Sequence, residues 1–149
     1  MLGCVHLFSE LAPEDTRALT EHSKIRTYPA NTILINEGDH SDSLFVILDG
    51  RVKAYASNEN GKDVTLSLMG PGEYFGELAL LDDAPRSASV LAHEKTRLFA
   101  VSRADLEDLL FVDRDLAYEV LWNFVRTLSR RLRATNDKMT FLATTNKFE

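Results

Sequence analysis

The chain has 149 residues, 44% of them hydrophobic and 27% charged, with a formal net charge of −6. That length and composition fit one globular domain, here taken as 1–149, and exclude a disordered chain, while the acidic balance does not suit a dedicated nucleic-acid binder. The single cysteine, Cys4, excludes an internal disulfide, the four histidines have no ligand spacing, and no apolar run approaches a membrane span. Met1-Leu2-Gly3-Cys4 lacks the basic and apolar regions of a signal peptide, so a cytoplasmic location without a membrane partner is expected. There is no Ser/His/Asp or Cys/His arrangement and no Walker-type loop, so no catalytic residue, metal or cofactor is assigned.

In chain order, 8–24 reads as an N-terminal helical segment. Pro13 to His22 suits an amphipathic helix, with Pro13 in the first turn, Glu14 and Asp15 at its positive end, and Leu11, Ala18 and Leu19 toward the body. A β-rich region follows over 25–101. Lys24–Tyr28 and Thr32–Ile35 are expected strands around Pro29-Ala30-Asn31. Leu44-Phe45-Val46-Ile47-Leu48 is a continuous apolar run, the pattern of a buried strand. Asp49-Gly50 is a turn signal. Arg51 to Ala56 alternates with Val52, Ala54 and Ala56 on one face. Past the turn at Asn60-Gly61, Asp63 to Leu68 alternates again, with Val64, Leu66 and Leu68 expected inward. Gly70-Pro71-Gly72 breaks the pattern, and Ala88–Leu91 and Thr96–Val101 are two further strands. Short strands with frequent turns predict a small barrel or sandwich.

Helices are expected over 102–143. Ser102 offers an N-cap with Asp105 in the first turn, for a helix to about Phe111. Asp113 caps a long helix without proline or glycine, running to about Leu142. Tyr118, Leu121, Val125, Leu128, Leu132, Thr135, Met139 and Leu142 recur at steps of three and four, a heptad seam. At ~1.5 Å per residue such a helix is roughly 45 Å long, more than a small roll can cover. The surplus apolar stripe predicts a homodimer through this helix.

The most specific signal is Phe75-Gly76-Glu77-Leu78-Ala79-Leu80-Leu81 followed by Ala84-Pro85-Arg86-Ser87-Ala88-Ser89-Val90. It sets a carboxylate and a guanidinium nine positions apart within an apolar, small-residue surround. A carboxylate accepts hydrogen bonds from a sugar hydroxyl, and an arginine fork meets two phosphate oxygens at once. The first N–H groups of a short helical turn add a positive dipole end for the same anion. The plain alternative is a strand–turn–strand with a surface Glu77–Arg86 salt bridge.

The segment resembles the phosphate-binding cassette of cyclic-nucleotide-binding domains, the family of kinase regulatory subunits, nucleotide-gated channels and bacterial catabolite activators. The resemblance implies a mainly β fold with helices: a jelly-roll-like β-roll with a short N-terminal helix, a cassette helix within 75–90 and a long C-terminal helix. It implies a non-catalytic sensor whose ligand is cyclic AMP, with cyclic GMP left open by Ser87. Glu77 would hold the ribose hydroxyl, and Arg86 the cyclic phosphate, assisted by Ser87 and the backbone of Gly76, Glu77, Leu78 and Ala79. Ala88 continues the small-residue frame. Leu66 and Met69, with Ala54, sit where the family lines the wall around the nucleotide, plain core packing being the alternative for each.

Ser129 to Asn136 resembles the stretch of the activator branch's dimerising helix that covers the base. Arg131, Thr135 and Asn136 match an arginine, a threonine that meets the adenine amino group, and a polar residue that reaches the partner subunit's nucleotide. Asn136 stands where the family has serine. For Thr135 the alternative is a hydrogen bond to the carbonyl one turn back, and for Arg130, Arg131 and Arg133 a solvated basic face. In the activator branch a helix-turn-helix domain follows this helix. Residues 143–149 are too short for one, so DNA binding by this chain alone is not expected. The rival readings are the sensor fragment of an activator-like transcription regulator, a fragment of a channel or kinase system, and a ligand-free dimeric scaffold. The downstream protein partner leaves no motif.

Overall fold

Side-chain alternation along three strands decides which layer each residue joins. In β3 (Ser43–Asp49), Leu44 and Val46 point to one cluster and Ile47 to another, so the unbroken apolar run is a strand buried on both faces. In β6 (Tyr74–Phe75) and β8 (Thr96–Ser102) the same split recurs. Tyr74, Phe99 and Val101 face the helices, whereas Phe75 and Leu98 face the roll interior.

This computed structural model describes residues 17, 21, 23–40, 42–77 and 84–145. The expected N-terminal helix, Pro13 to His22, and the cassette residues Leu78 and Ala79 lie outside the described residues, apart from Arg17 and Glu21. With β1 (Lys24–Tyr28), β2 (Ile33–Ile35), β4 (Val52–Ser57), β5 (Asp63–Met69) and β7 (Ser89–Ala92), the strands form two antiparallel four-stranded sheets. Their orders are β1-β8-β3-β6 and β2-β7-β4-β5. Two helices follow, α1 (Arg103–Val112) and α2 (Arg114–Thr145).

The cap residues act as their chemistry requires. The Ser102 hydroxyl accepts the Asp105 N–H at 3.1 Å, and Asp113 Oδ1 accepts the Leu116 N–H at 3.0 Å. On α2, Leu116, Val120 and Phe124 recur every four residues and dock on the outer face of the first sheet. This docking aims the continuation of the same stripe across the mouth of the roll.

The turn expected at Asp49-Gly50 carries the chain from one sheet to the other, since β3 and β4 lie in different sheets. One expectation is corrected. Val64 and Leu68 are not in the core, and Leu66, also outside it, lines a cavity against this sheet. Each is about half exposed, and β5 is an edge strand hydrogen-bonded only to β4. At its end Met69 is buried.

Candidate nucleotide pocket

Gly76 follows β6 with φ +90°, a conformation side-chain-bearing residues rarely adopt. A Cβ there would lie 2.6 Å from Arg86 Nη1 and 2.8 Å from the Ser43 carbonyl oxygen. Glycine is thus needed twice, for the backbone turn and for the space the guanidinium occupies. Arg86 Nη1 donates to the Gly76 carbonyl at 2.8 Å and Nη2 to the Ser43 carbonyl at 2.7 Å. The Arg86 N–H donates to the Asp39 carbonyl and the Gly38 N–H to the Arg86 carbonyl, tying its backbone to the loop before β3. Burial pushes the Arg86 guanidinium below its ordinary value, opposed by the nearby Asp42 and Glu77 carboxylates.

Glu77 and Arg86 are 3% and 5% exposed. A surface salt bridge on a strand–turn–strand is therefore not what these residues form. Glu77 Oε1 is paired with Arg131 Nη1, 54 positions later on α2. Arg131 Nη2 donates to the Tyr74 carbonyl at 2.7 Å, and its guanidinium lies over the Tyr74 ring, 5.5 Å from the centroid. Tyr74 meets Phe124 edge to face. Burial raises the Tyr74 phenol above its ordinary value, with Glu77 adding to the shift and Thr127 and Arg131 opposing it. One arginine thus joins the turn after β6 to the long helix. The plain alternative of a solvated face does not hold for Arg131.

These groups border a cavity of about 420 Å³ between the second sheet, the turn after β6 and α2. That volume lies within the usual range for small-molecule sites. Of the residues singled out in the sequence, Leu66, Met69, Gly76, Glu77, Arg86, Ser87, Ala88, Arg131 and Thr135 line it, as does Ala54. Asn136 is exposed and outside the lining. Sequence reasoning missed Ile35, Ser67, Ala134 and Lys138. The last two follow from Arg131 by helical spacing of three and seven, a signal readable once Arg131 is assigned to the cavity. The Thr135 hydroxyl donates to the Arg131 carbonyl at 2.9 Å, the bond of its plain alternative, and the residue also lines the cavity. Among the described residues no cluster of potential metal ligands occurs, and no helix is long and apolar enough to cross a membrane.

The family model of the cyclic nucleotide-binding domain matches residues 25–113. The cyclic AMP receptor protein of Thermus thermophilus is 37% identical over 137 residues, covering 92% of this chain and 62% of that protein. The crystal structure of Thermus thermophilus catabolite activator protein superposes with a TM-score of 0.80 at 36% identity, covering 93% of this chain and 63% of that one. A cyclic nucleotide-binding domain from Methylobacillus flagellatus gives 0.83 at 30% identity, covering 93% and 78%. The chain spans a little under two thirds of the length of the curated relatives it matches first. With the family match falling on the two sheets and α1, and the β-roll topology shared with solved members, this chain belongs to the cyclic nucleotide-binding domain family.

Proposed function

We propose that this chain is a non-catalytic sensor of cyclic AMP that reports occupancy through α2. The observation that carries this reading is a buried guanidinium and a buried carboxylate on one cavity wall, with a helix across the opening that is ion-paired to that carboxylate. Arg86 takes the cyclic phosphate. A guanidinium has five N–H donors, and the carbonyls of Gly76 and Ser43 orient the fork. Ser87 and the backbone of the cassette assist. Glu77 accepts the ribose hydroxyl through the oxygen that Arg131 leaves available.

Base preference follows from the Thr135 hydroxyl. Its proton is committed to the Arg131 carbonyl, so toward the cavity it presents lone pairs. Lone pairs accept the adenine amino group and repel the guanine carbonyl at the same ring position. A ligand seated against Glu77 and Thr135 touches both ends of the Arg131 linkage. Its affinity therefore depends on where α2 sits, which is the condition for a ligand to shift a conformational equilibrium.

The dimer belongs to the same proposal. Tyr118, Leu121, Val125, Leu132, Met139 and Leu142 are exposed along α2, and a second copy of the helix is the partner that buries them. Asn136, outside this cavity, is the residue that the same proposal assigns to the partner's nucleotide. A second reading, the sensor part of a longer transcription regulator, is favoured by the chain spanning less than two thirds of regulators such as the cAMP-activated protein of Mycobacterium tuberculosis. The downstream target under either reading is a separate protein or domain that senses the position of α2.

The test is calorimetric titration with cyclic AMP and cyclic GMP. Arg86→Ala is expected to cost about 2–5 kcal/mol of binding, as when a buried charge loses its partner. Thr135→Ala is expected to narrow the preference for cyclic AMP by roughly 1–3 kcal/mol. Affinity unchanged by Arg86→Ala would refute the assigned chemistry.

A further inference from the structure

We propose that Lys138 reads the outer edge of the purine and favours guanine, opposing Thr135. The inference rests on the reading of the cavity as a cyclic-nucleotide site. Arg131, Thr135 and Lys138 stand at positions i, i+4 and i+7 of α2, share one helix face and all line the cavity. Arg131 marks the inner end, held at Glu77 and the Tyr74 carbonyl. Seven residues of helix place Lys138 about 10 Å further along the axis. A nucleotide with its ribose at Glu77 and its base beneath Thr135 spans that interval, so the rim of its base meets the lysine.

The chemistry at that rim distinguishes the two purines. An ammonium has three donors and no acceptor. Among the described residues Lys138 has no ion-pair partner, and its ammonium is available to a ligand. The outer edge of guanine presents two adjacent acceptors, N7 and O6. Adenine presents one acceptor beside an amino donor, which a lysine does not match. Thr135 and Lys138 therefore select in opposite directions, and the preference of the site is the difference between them. A lysine that only attracted the phosphate would strengthen both nucleotides alike, because they carry the same cyclic phosphate.

The experiment is paired calorimetric titration of wild type, Lys138→Met and Lys138→Arg with cyclic AMP and cyclic GMP. Methionine keeps the unbranched stem and the helix propensity, so the fold is retained. The expected result is that Lys138→Met weakens cyclic GMP about tenfold and cyclic AMP less than threefold, the lower end of what a base-edge contact discriminates. Lys138→Arg is expected to keep the wild-type ratio. Equal weakening of both nucleotides, or a ratio unmoved by Lys138→Met, overturns the role of Lys138 and leaves the cyclic-nucleotide reading standing. A wild type that binds neither nucleotide overturns both.

Discussion

Replacing Arg131 by methionine tests whether one side chain links the cavity to the helix. The two partners of the Glu77–Arg131 pair are unequally buried, their side chains being 4% and 39% exposed. Removing the arginine leaves a carboxylate in the interior without its counter-charge, whereas removing the carboxylate leaves an arginine that can turn toward water. Breaking a fully buried pair costs about 3–5 kcal/mol and an exposed pair contributes only about 0.2–1 kcal/mol. With one partner more than a third open to solvent, Arg131→Met is expected to destabilise by about 2 kcal/mol, part of it from the lost bond to the Tyr74 carbonyl. Glu77→Gln is expected to cost about 1 kcal/mol or less. In the double variant the buried charge is gone, so only the lost bond to the Tyr74 carbonyl adds to the cost of Glu77→Gln, a coupling of about 1–2 kcal/mol. Urea unfolding at one fixed protein concentration, with the slope of each transition compared, measures all four corners of the cycle. Equal costs for the two single variants, or strictly additive costs, would refute the argument that Glu77 depends on Arg131.

Gly76→Ala is expected to lose about 2 kcal/mol or more, because it adds a Cβ clash with Arg86 and Ser43 to the cost of a positive φ, and to weaken cyclic-nucleotide binding as Arg86 shifts. Gly61→Ala, at φ +75° with nothing within 4 Å, isolates the backbone part of that cost, so the difference between the two unfolding midpoints should be clear; equal losses would contradict the space argument. Replacing Leu121 and Leu132 with glutamate removes apolar groups that are already exposed in the single chain, so the fold should persist while sedimentation moves from dimer to monomer. A wild type that sediments as a monomer at high micromolar concentration would remove the basis for that expectation.

The elements themselves were written locally. Alternation in Val52 to Ala56, the cap residues Ser102 and Asp113 and the heptad seam of the long helix, uninterrupted by proline or glycine, each depend on neighbours within a few positions, and β4, α1 and α2 appear where those patterns predict them. The cassette was legible for a related reason: glycine, carboxylate, arginine and small residues at fixed spacing are a local requirement of one turn, and Gly76, Glu77 and Arg86 come together at one cavity.

What the sequence could not decide is which distant groups meet. The run Leu44 to Leu48 says that a strand is buried on both faces, but not that one face belongs to the helices and the other to the roll. Alternation in β5 predicts an inward face, yet strand order leaves β5 at an edge, where Val64 and Leu68 are half exposed. Resemblance singles out Arg131 from Arg130 and Arg133, but nothing local names Glu77 and the Tyr74 carbonyl as its partners. Only the docking of Leu116, Val120 and Phe124 turns that one position toward Glu77 and leaves Lys138, seven residues on, at the cavity rim. The physical reason is that period and spacing set which residues share a face, whereas the partner of that face is set by packing between segments far apart in the chain.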